Sequence, residues 1–445
     1  MSFEVRWRRI DEVIEDVIDR RGITPLKLGG DFVERGHRVI SAKLIKNGRI
    51  VLDADVPRFV DASVYSKWMK TPLRVGDVIM TSEAPLGELA YLGRDKDWCL
   101  GQRLFALRPR QGVIDGRFLY YALQTNRVRD DIFGRATGTT VQGIRQAELR
   151  KVKIPVPSLS DQIQASSILG ALDDRITILR EANATLEEIA QALFKSWFVD
   201  FDPVRAKQGG RAPEGMDNAT AALFPDGFDE SKLGPVPSGW RLASIEEVVE
   251  GVYDGPHATP PEADTGPIFL GIKNLTGSGI DLTAVRHIHE DQWVQWTRRV
   301  VPSHGDIVFS YEATLGFFAL IPPATRCCLG RRLALIRPRA RNGYGHFWFH
   351  QFVAAPFQRL LEKHTIQGAT VNRIALKHFP SYAVLNPPDS IKRAFETVVE
   401  PIWARIHENQ AQCKSLVGIR DTLLPRLISG ELLLPEAADQ TALAA

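Results

Sequence analysis

VGDVIMTSEAPLGELAYL fills residues 75–92, and HGDIVFSYEATLGFFALI fills residues 304–321. Both stretches read Gly-Asp, then an apolar run, then Glu-Ala-x-Leu-Gly, at an offset of 229. The same offset relates CLGQRLFALRPR (99–110) to CLGRRLALIRPR (328–339), with eight of twelve positions identical. GTTVQGI (138–144) faces GATVNRI (368–374) at offset 230. Upstream, Trp7 with Asp11-Glu12-Val13 faces Trp240 with Glu246-Glu247-Val248. Matches kept in order at a nearly constant spacing mean that one unit is written twice, and an internal repeat of this size decides the fold.

Each copy opens with short strands, such as the alternating DVIMTSE and the apolar RLFALRP, broken by turn signals at Asn47-Gly48 and Gly277-Ser278-Gly279. A Pro-bounded junction follows, IPVPSLSDQ (154–162) or VLNPPDSIK (384–392), and then a long helical pattern. The first helix opens at Ser158 or Ser160, both suitable N-caps. Its seam runs Ala165, Leu169, Leu172, Ile176, Leu179, Asn183, Leu186, Ala190, Leu193, Trp197, with gaps that alternate four and three as in a coiled coil. From 160 to 200 it would span roughly 60 Å. The second seam, Phe395, Ile402, Asn409, Leu416, Leu423, aligns with the first at offset 226, and Leu424-Pro425 and Ser429-Gly430 are its stop signals. Neither seam can stay in water, so the two helices are expected to pair antiparallel, with the seam asparagines Asn183 and Asn409 as near neighbours that set the register. The fold class is therefore α+β: two similar globular mixed α/β domains separated by two long antiparallel coiled-coil helices, an internal pseudo-two-fold repeat. The boundaries read 1–155 for the first domain, 156–201 for the central helix, 202–239 for a surface linker rich in Pro and Gly, 240–386 for the second domain, 387–432 for the distal helix and 433–445 for a tail.

Composition is that of an ordinary soluble protein of 445 residues, 44% hydrophobic and 24% charged. No run approaches the ~20 apolar residues of a membrane span, and the start, MSFEVRWRRIDEV, lacks a signal-peptide apolar region. Cys99, Cys327, Cys328 and Cys413 form no CxxC pair, which points to a reducing cytoplasm rather than to disulfides or zinc. Charge is unevenly distributed. Residues 1–155 carry 28 Lys and Arg against 20 Asp and Glu, and residues 240–386 carry 15 against 12. Residues 156–239 carry 7 against 13, and 387–445 carry 6 against 8. The globular copies are the parts that would meet a polyanion.

Catalytic chemistry is missing from this pattern. NPPD (386–389) imitates the Asn-Pro-Pro-aromatic loop of amino-methyltransferases, but Asp389 replaces the ring that stacks on a flipped base. Glu230-Ser231-Lys232 after Pro225-Asp226 is too tightly spaced for a nuclease set. His287, His289, Glu290 and Asp291 match no standard metal spacing, and there is no GxxxxGK[ST] for ATP. No cofactor or metal is expected on this chain.

ALFKSWFVDFDPV (192–204), LFPDGFDESKLGPVPSGW (223–240), IPVPSLSDQ (154–162) and LLPRLISGEL (423–432) together resemble the specificity (S) subunits of Type I restriction-modification systems. The resemblance covers nearly the whole chain, although the second junction lacks the Gln present at Gln162. It implies a DNA-binding, non-catalytic subunit in which two target-recognition domains each read half of a split site in double-stranded DNA, and the helices set the gap. It also implies partners: two methyltransferase (M) subunits with S-adenosylmethionine, and motor-nuclease (R) subunits with ATP and Mg. Other readings are a stand-alone methyltransferase with its own recognition domain, and a repeat scaffold that does not read DNA. Base readout needs polar side chains in loops. The candidates before each helix are Arg135, Thr139, Thr140, Gln142 and Arg145, then Gln367, Thr370, Asn372 and Arg373; near the strand turns they are Lys43, Lys46 and Asn47, then Lys273 and Asn274.

Overall fold

The computed structural model describes residues 5–432, apart from 53, 232–233, 278, 283–284, 340–344 and 369–370. Ser278, Thr370, Lys232 and the tail at 433–445 thus lie outside the described residues. The chain divides into two compact units, Met1–Ile178 with Cys413–Ala445, and Leu179–Gln412.

In the first unit, strands β1 (Ile14–Asp19), β2 (Val78–Thr81), β3 (Leu89–Tyr91) and β4 (Leu104–Pro109) form an antiparallel sheet in the order β1-β4-β2-β3. In the second, β5 (Val249–Asp254), β6 (Ile307–Ser310), β7 (Phe318–Leu320) and β8 (Leu333–Pro338) repeat that order as β5-β8-β6-β7. Each unit also holds a three-stranded sheet with one parallel pairing, Val39↔Cys99 in the first and Phe269↔Cys328 in the second. The repeated cysteines are therefore strand positions, and both are fully buried. Each domain is closed by its own ends: Arg6–Arg9 pairs with Lys153–Val156, and Arg241–Ser244 with Ala383–Asn386.

The repeated Gly-Asp and Arg-Pro-Arg motifs meet across these sheets. Asp77 accepts from Arg108 Nε at 2.9 Å and Nη2 at 2.7 Å; Asp306 accepts from Arg337 Nε at 2.9 Å and Nη2 at 2.6 Å. The same Nη2 atoms also donate to a backbone carbonyl, Pro72 at 2.6 Å and Val301 at 2.8 Å, which are again 229 residues apart. Both carboxylates are buried, and each guanidinium is held by a bidentate fork, the strong form of ion pair.

The long helices are α1 (Leu159–Phe198) and α2 (Asp389–Ser429). Ser158 caps the first, accepting from Asp161 N at 3.2 Å. Pairing is antiparallel within each unit. In the first, Asp173 accepts from Arg420 at 2.8 Å, and Cys413 Sγ lies 3.8 Å from the Ile176 carbonyl. In the second, Asn183 meets Asn409 and Trp197 meets Phe395, so the α2 number falls as the α1 number rises. Nearly all the seam is buried, with Leu186, Leu193 and Ile402 partly so. Pro425 does not end α2, contrary to its usual effect. Burial of Leu423, Leu424, Leu427 and Ile428 around it outweighs the ~3 kcal/mol that an interior proline costs. Gly430, at φ +76°, ends the helix instead.

Residues 202–239 are not a plain surface linker. They form helices Asp202–Gln208 and Asn218–Ala222 and a hairpin of Phe228–Ser231 with Gly234–Pro237. Phe224 packs edge-on against Trp197, with centroids 5.3 Å apart, and Val204 and Val236 are buried in the same core. Isolated apolar residues among Pro and Gly show no periodicity, so the composition hid this packing.

Candidate nucleic-acid interface

The loop before each long helix is fixed at the same place on its sheet. Ile144 N donates to Ser82 O at 2.9 Å, and Ile374 N donates to Tyr311 O at 2.8 Å; Ser82 and Tyr311 follow the equivalent strands β2 and β6. Gly138 and Gly368 start these loops. A Cβ at Gly138 would meet the Val141 carbonyl at 2.1 Å, and one at Gly368 the Val371 carbonyl at 2.2 Å. The two glycines thus allow the close backbone approach in each loop. Thr140 and Thr370 are shared, while other positions differ between the copies, with Gln142 facing Asn372 at offset 230.

Thr139, Thr140, Gln142 and Arg145 are exposed together on the first loop, closed by mutual hydrogen bonds of Thr137 and Gly143 at 2.9 and 3.0 Å. Gln367 and Arg373 are exposed on the second, while Asn372 is half-buried and accepts from Gly368 N at 3.4 Å. Arg135 is held by Asp131 at 2.7 Å and Glu148 at 3.5 Å, behind its loop. Lys46 and Asn47 are exposed on a separate hairpin, Lys46↔Arg49, tied by Tyr120 OH donating to Gly48 O at 3.0 Å. Lys43 is exposed and pairs loosely with Asp55 at 3.6 Å, and Lys273 is exposed on the short helix Ile272–Asn274. Asn274 is a correction: it is buried, its Oδ1 accepts from Gly271 N at 2.9 Å and its Nδ2 donates to Asp281 O at 3.1 Å. An amide used at both ends inside its own loop braces that loop and offers nothing to a ligand.

Side chains with catalytic potential are engaged elsewhere. Burial pushes the Cys99, Cys327 and Cys328 thiols up to about 12, far from a reactive thiolate. Burial also lowers His350 to about 3, and its Nε2 accepts from Trp403 Nε1 at 3.1 Å, which needs a bare ring nitrogen. Asn386 of the NPPD stretch accepts from Lys392 Nζ at 2.8 Å, at the start of α2. No cluster of three or more His, Cys, Asp or Glu suited to a metal occurs among the described residues. No helix among them is long and apolar enough to cross a membrane.

Sequence reasoning missed Arg103 and Arg332, which flank these loops. Ser82 N donates to Arg103 O at 2.8 Å and Tyr311 N to Arg332 O at 3.2 Å. The signal was present in the repeated GQR and GRR, but nothing in a sequence marks their backbone angles.

Over residues 8–188 the chain matches the family described as Type I restriction modification DNA specificity domain. It is similar to the Type I restriction enzyme MjaIX specificity subunit of Methanocaldococcus jannaschii, 26% identical over 412 residues, 91% of this chain and 84% of that one. It is also similar to the Type I restriction enzyme HindI specificity subunit of Haemophilus influenzae, 23% identical over 420 residues, 82% of this chain and 88% of that one. Among solved structures, the Type I restriction-modification system S subunit from M. genitalium shares its fold, with a TM-score of 0.53, 17% identity and 96% of both chains covered. With its sheet order repeated and its seam helices paired, the chain is similar along most of its length to specificity subunits of Type I restriction-modification systems, and its residues 8–188 match the DNA specificity domain of those systems.

Proposed function

We propose that this chain chooses the DNA site for its complex, with residues 1–155 and 240–386 each reading one half of a bipartite sequence. The observation that carries this reading is the pair of exposed loops, anchored identically at Ser82 and Tyr311 yet presenting different polar side chains. Equivalent anchoring gives each module the same approach to a duplex, and different side chains give each its own base preference. The helices set the spacer and dock two methyltransferase subunits, which carry S-adenosylmethionine. Motor-nuclease subunits carry ATP and Mg, and catalysis rests with these partners. Free buried thiols fit work in a reducing cytoplasm.

Binding of the chain, assembled with methyltransferase subunits, to duplex DNA tests this directly. The logarithm of affinity is expected to fall linearly with the logarithm of salt, losing roughly 10³–10⁵-fold between 50 and 200 mM for six to ten phosphate contacts. Arg145→Ala and Arg373→Ala each weaken binding if those side chains reach DNA. A complex that binds no DNA, or binds it independently of salt, contradicts the reading.

A further inference from the structure

Two pairs of non-glycine residues at equivalent places hold a left-handed backbone, Ala84 with Ala313 and, carrying a long charged side chain, Arg103 at φ +65° with Arg332 at φ +68°; each pair is 229 residues apart. Each arginine closes the tight turn that leads into β4 or β8. The turn is forced, because Gly101 and Gly330 before it lie so close to the preceding sheet that a Cβ would meet the Ile40 or Leu270 carbonyl at 2.3 Å. Left-handed positions favour Gly or Asn, and an arginine there is disfavoured by its Cβ. Turn geometry alone would select against this residue, and both copies nevertheless carry it. A strained backbone that keeps a long charged side chain in both copies points to a role for that side chain.

The side chains agree. Arg103 Nε lies 3.2 Å from Glu83 Oε1, with the two side chains 56% and 41% exposed. Arg332 Nε lies 3.7 Å from Glu312 Oε1, and Glu83 and Glu312 are again 229 apart. Such exposed pairs hold weakly and can exchange partners. Both glutamates bridge to the candidate loops, Glu83↔Gly143 and Glu312↔Arg373, so each arginine sits beside the side chains that would face DNA.

Building on the DNA-reading function proposed above, we infer that Arg103 and Arg332 are equivalent phosphate contacts, one in each domain, parked on Glu83 and Glu312 until DNA arrives. The guanidinium fork then leaves its carboxylate for a phosphate oxygen pair, a geometry suited to arginine. Identity in both copies argues for a contact indifferent to sequence, whereas Gln142 and Asn372, which differ, fall to the bases.

Arg103→Gly and Arg332→Gly test this, because glycine relieves the backbone while removing the contact. Each variant, assembled with methyltransferase subunits, is titrated with its methylated-site duplex and an unrelated duplex at several salt concentrations. Expected are an unchanged or raised melting temperature, a similar loss of affinity on both duplexes, and a salt slope shallower by about 0.9. Wild-type affinity and slope in both variants, with the parent still salt-dependent, overturn this inference and leave the DNA-reading function standing. Loss confined to the methylated-site duplex overturns it too, since the arginines would then read bases. A lowered melting temperature with unchanged affinity would make them braces for the turn. A parent complex that binds neither duplex removes the DNA-reading function itself.

Discussion

Asp77→Ala is expected to destabilise the first domain by about 3–5 kcal/mol, the usual cost of leaving a buried charge without its partner. Arg108 would remain in the core with its side chain 7% exposed and no countercharge, its Nη2 left with only the Pro72 carbonyl, while Arg74 N would lose an acceptor now at 2.8 Å. Asp306→Ala should cost less, because the Arg337 side chain is 24% exposed and can turn partly toward water. Urea unfolding of the purified chain, followed for each domain, measures both. Pairing Asp77→Ala with Arg108→Met should recover much of the loss, since a buried ion pair gains little over apolar residues of similar volume. A loss below about 1 kcal/mol for Asp77→Ala alone would mean that the repeated motif is not what holds the sheet.

The second large effect concerns the helices. Asn409 Nδ2 donates to Asn183 Oδ1 at 2.8 Å, and Asn183 Nδ2 donates to the Ile406 carbonyl at 3.3 Å. Both amides are buried, and Asn409 Oδ1 has no hydrogen-bond partner among the described residues. Asn183→Leu alone should cost roughly 1–3 kcal/mol, because it strands the Asn409 amide in an apolar seam. Changing both to Leu should raise the melting temperature above that of the single variant and relax the register, since no slipped pairing then buries an unpaired amide. If register sets the spacer, the double variant methylates sites of more than one spacer length. A single unchanged spacer in the mapped sites would separate helix pairing from spacing control.

Much of this architecture was readable beforehand, for identifiable reasons. Repetition exposed the duplicated sheets, and the alternating gaps from Ala165 to Trp197 exposed a paired helix, because both patterns are one-dimensional. What depends on depth was not readable. Asn274 has the chemistry of a base reader but is spent inside its own loop. Asp77 with Arg108 and Asp306 with Arg337 look like surface charge, yet each pair closes on a buried carboxylate. Phe224 and Val236 sit in a Pro- and Gly-rich stretch and still join the core. The αL angles of Arg103 and Arg332 leave no compositional trace, and only the fold reveals that a favoured glycine was passed over twice.

Exchange of residues 1–155 for the corresponding region of a related specificity subunit, followed by sequencing of methylated adenines in cells carrying the hybrid, tests the central claim most directly. Two modules that read independently predict that one half of the methylated site changes to that of the donor, while the other half is retained. A hybrid that folds and methylates but changes both halves together, or neither, would contradict the assignment of one half-site to each domain.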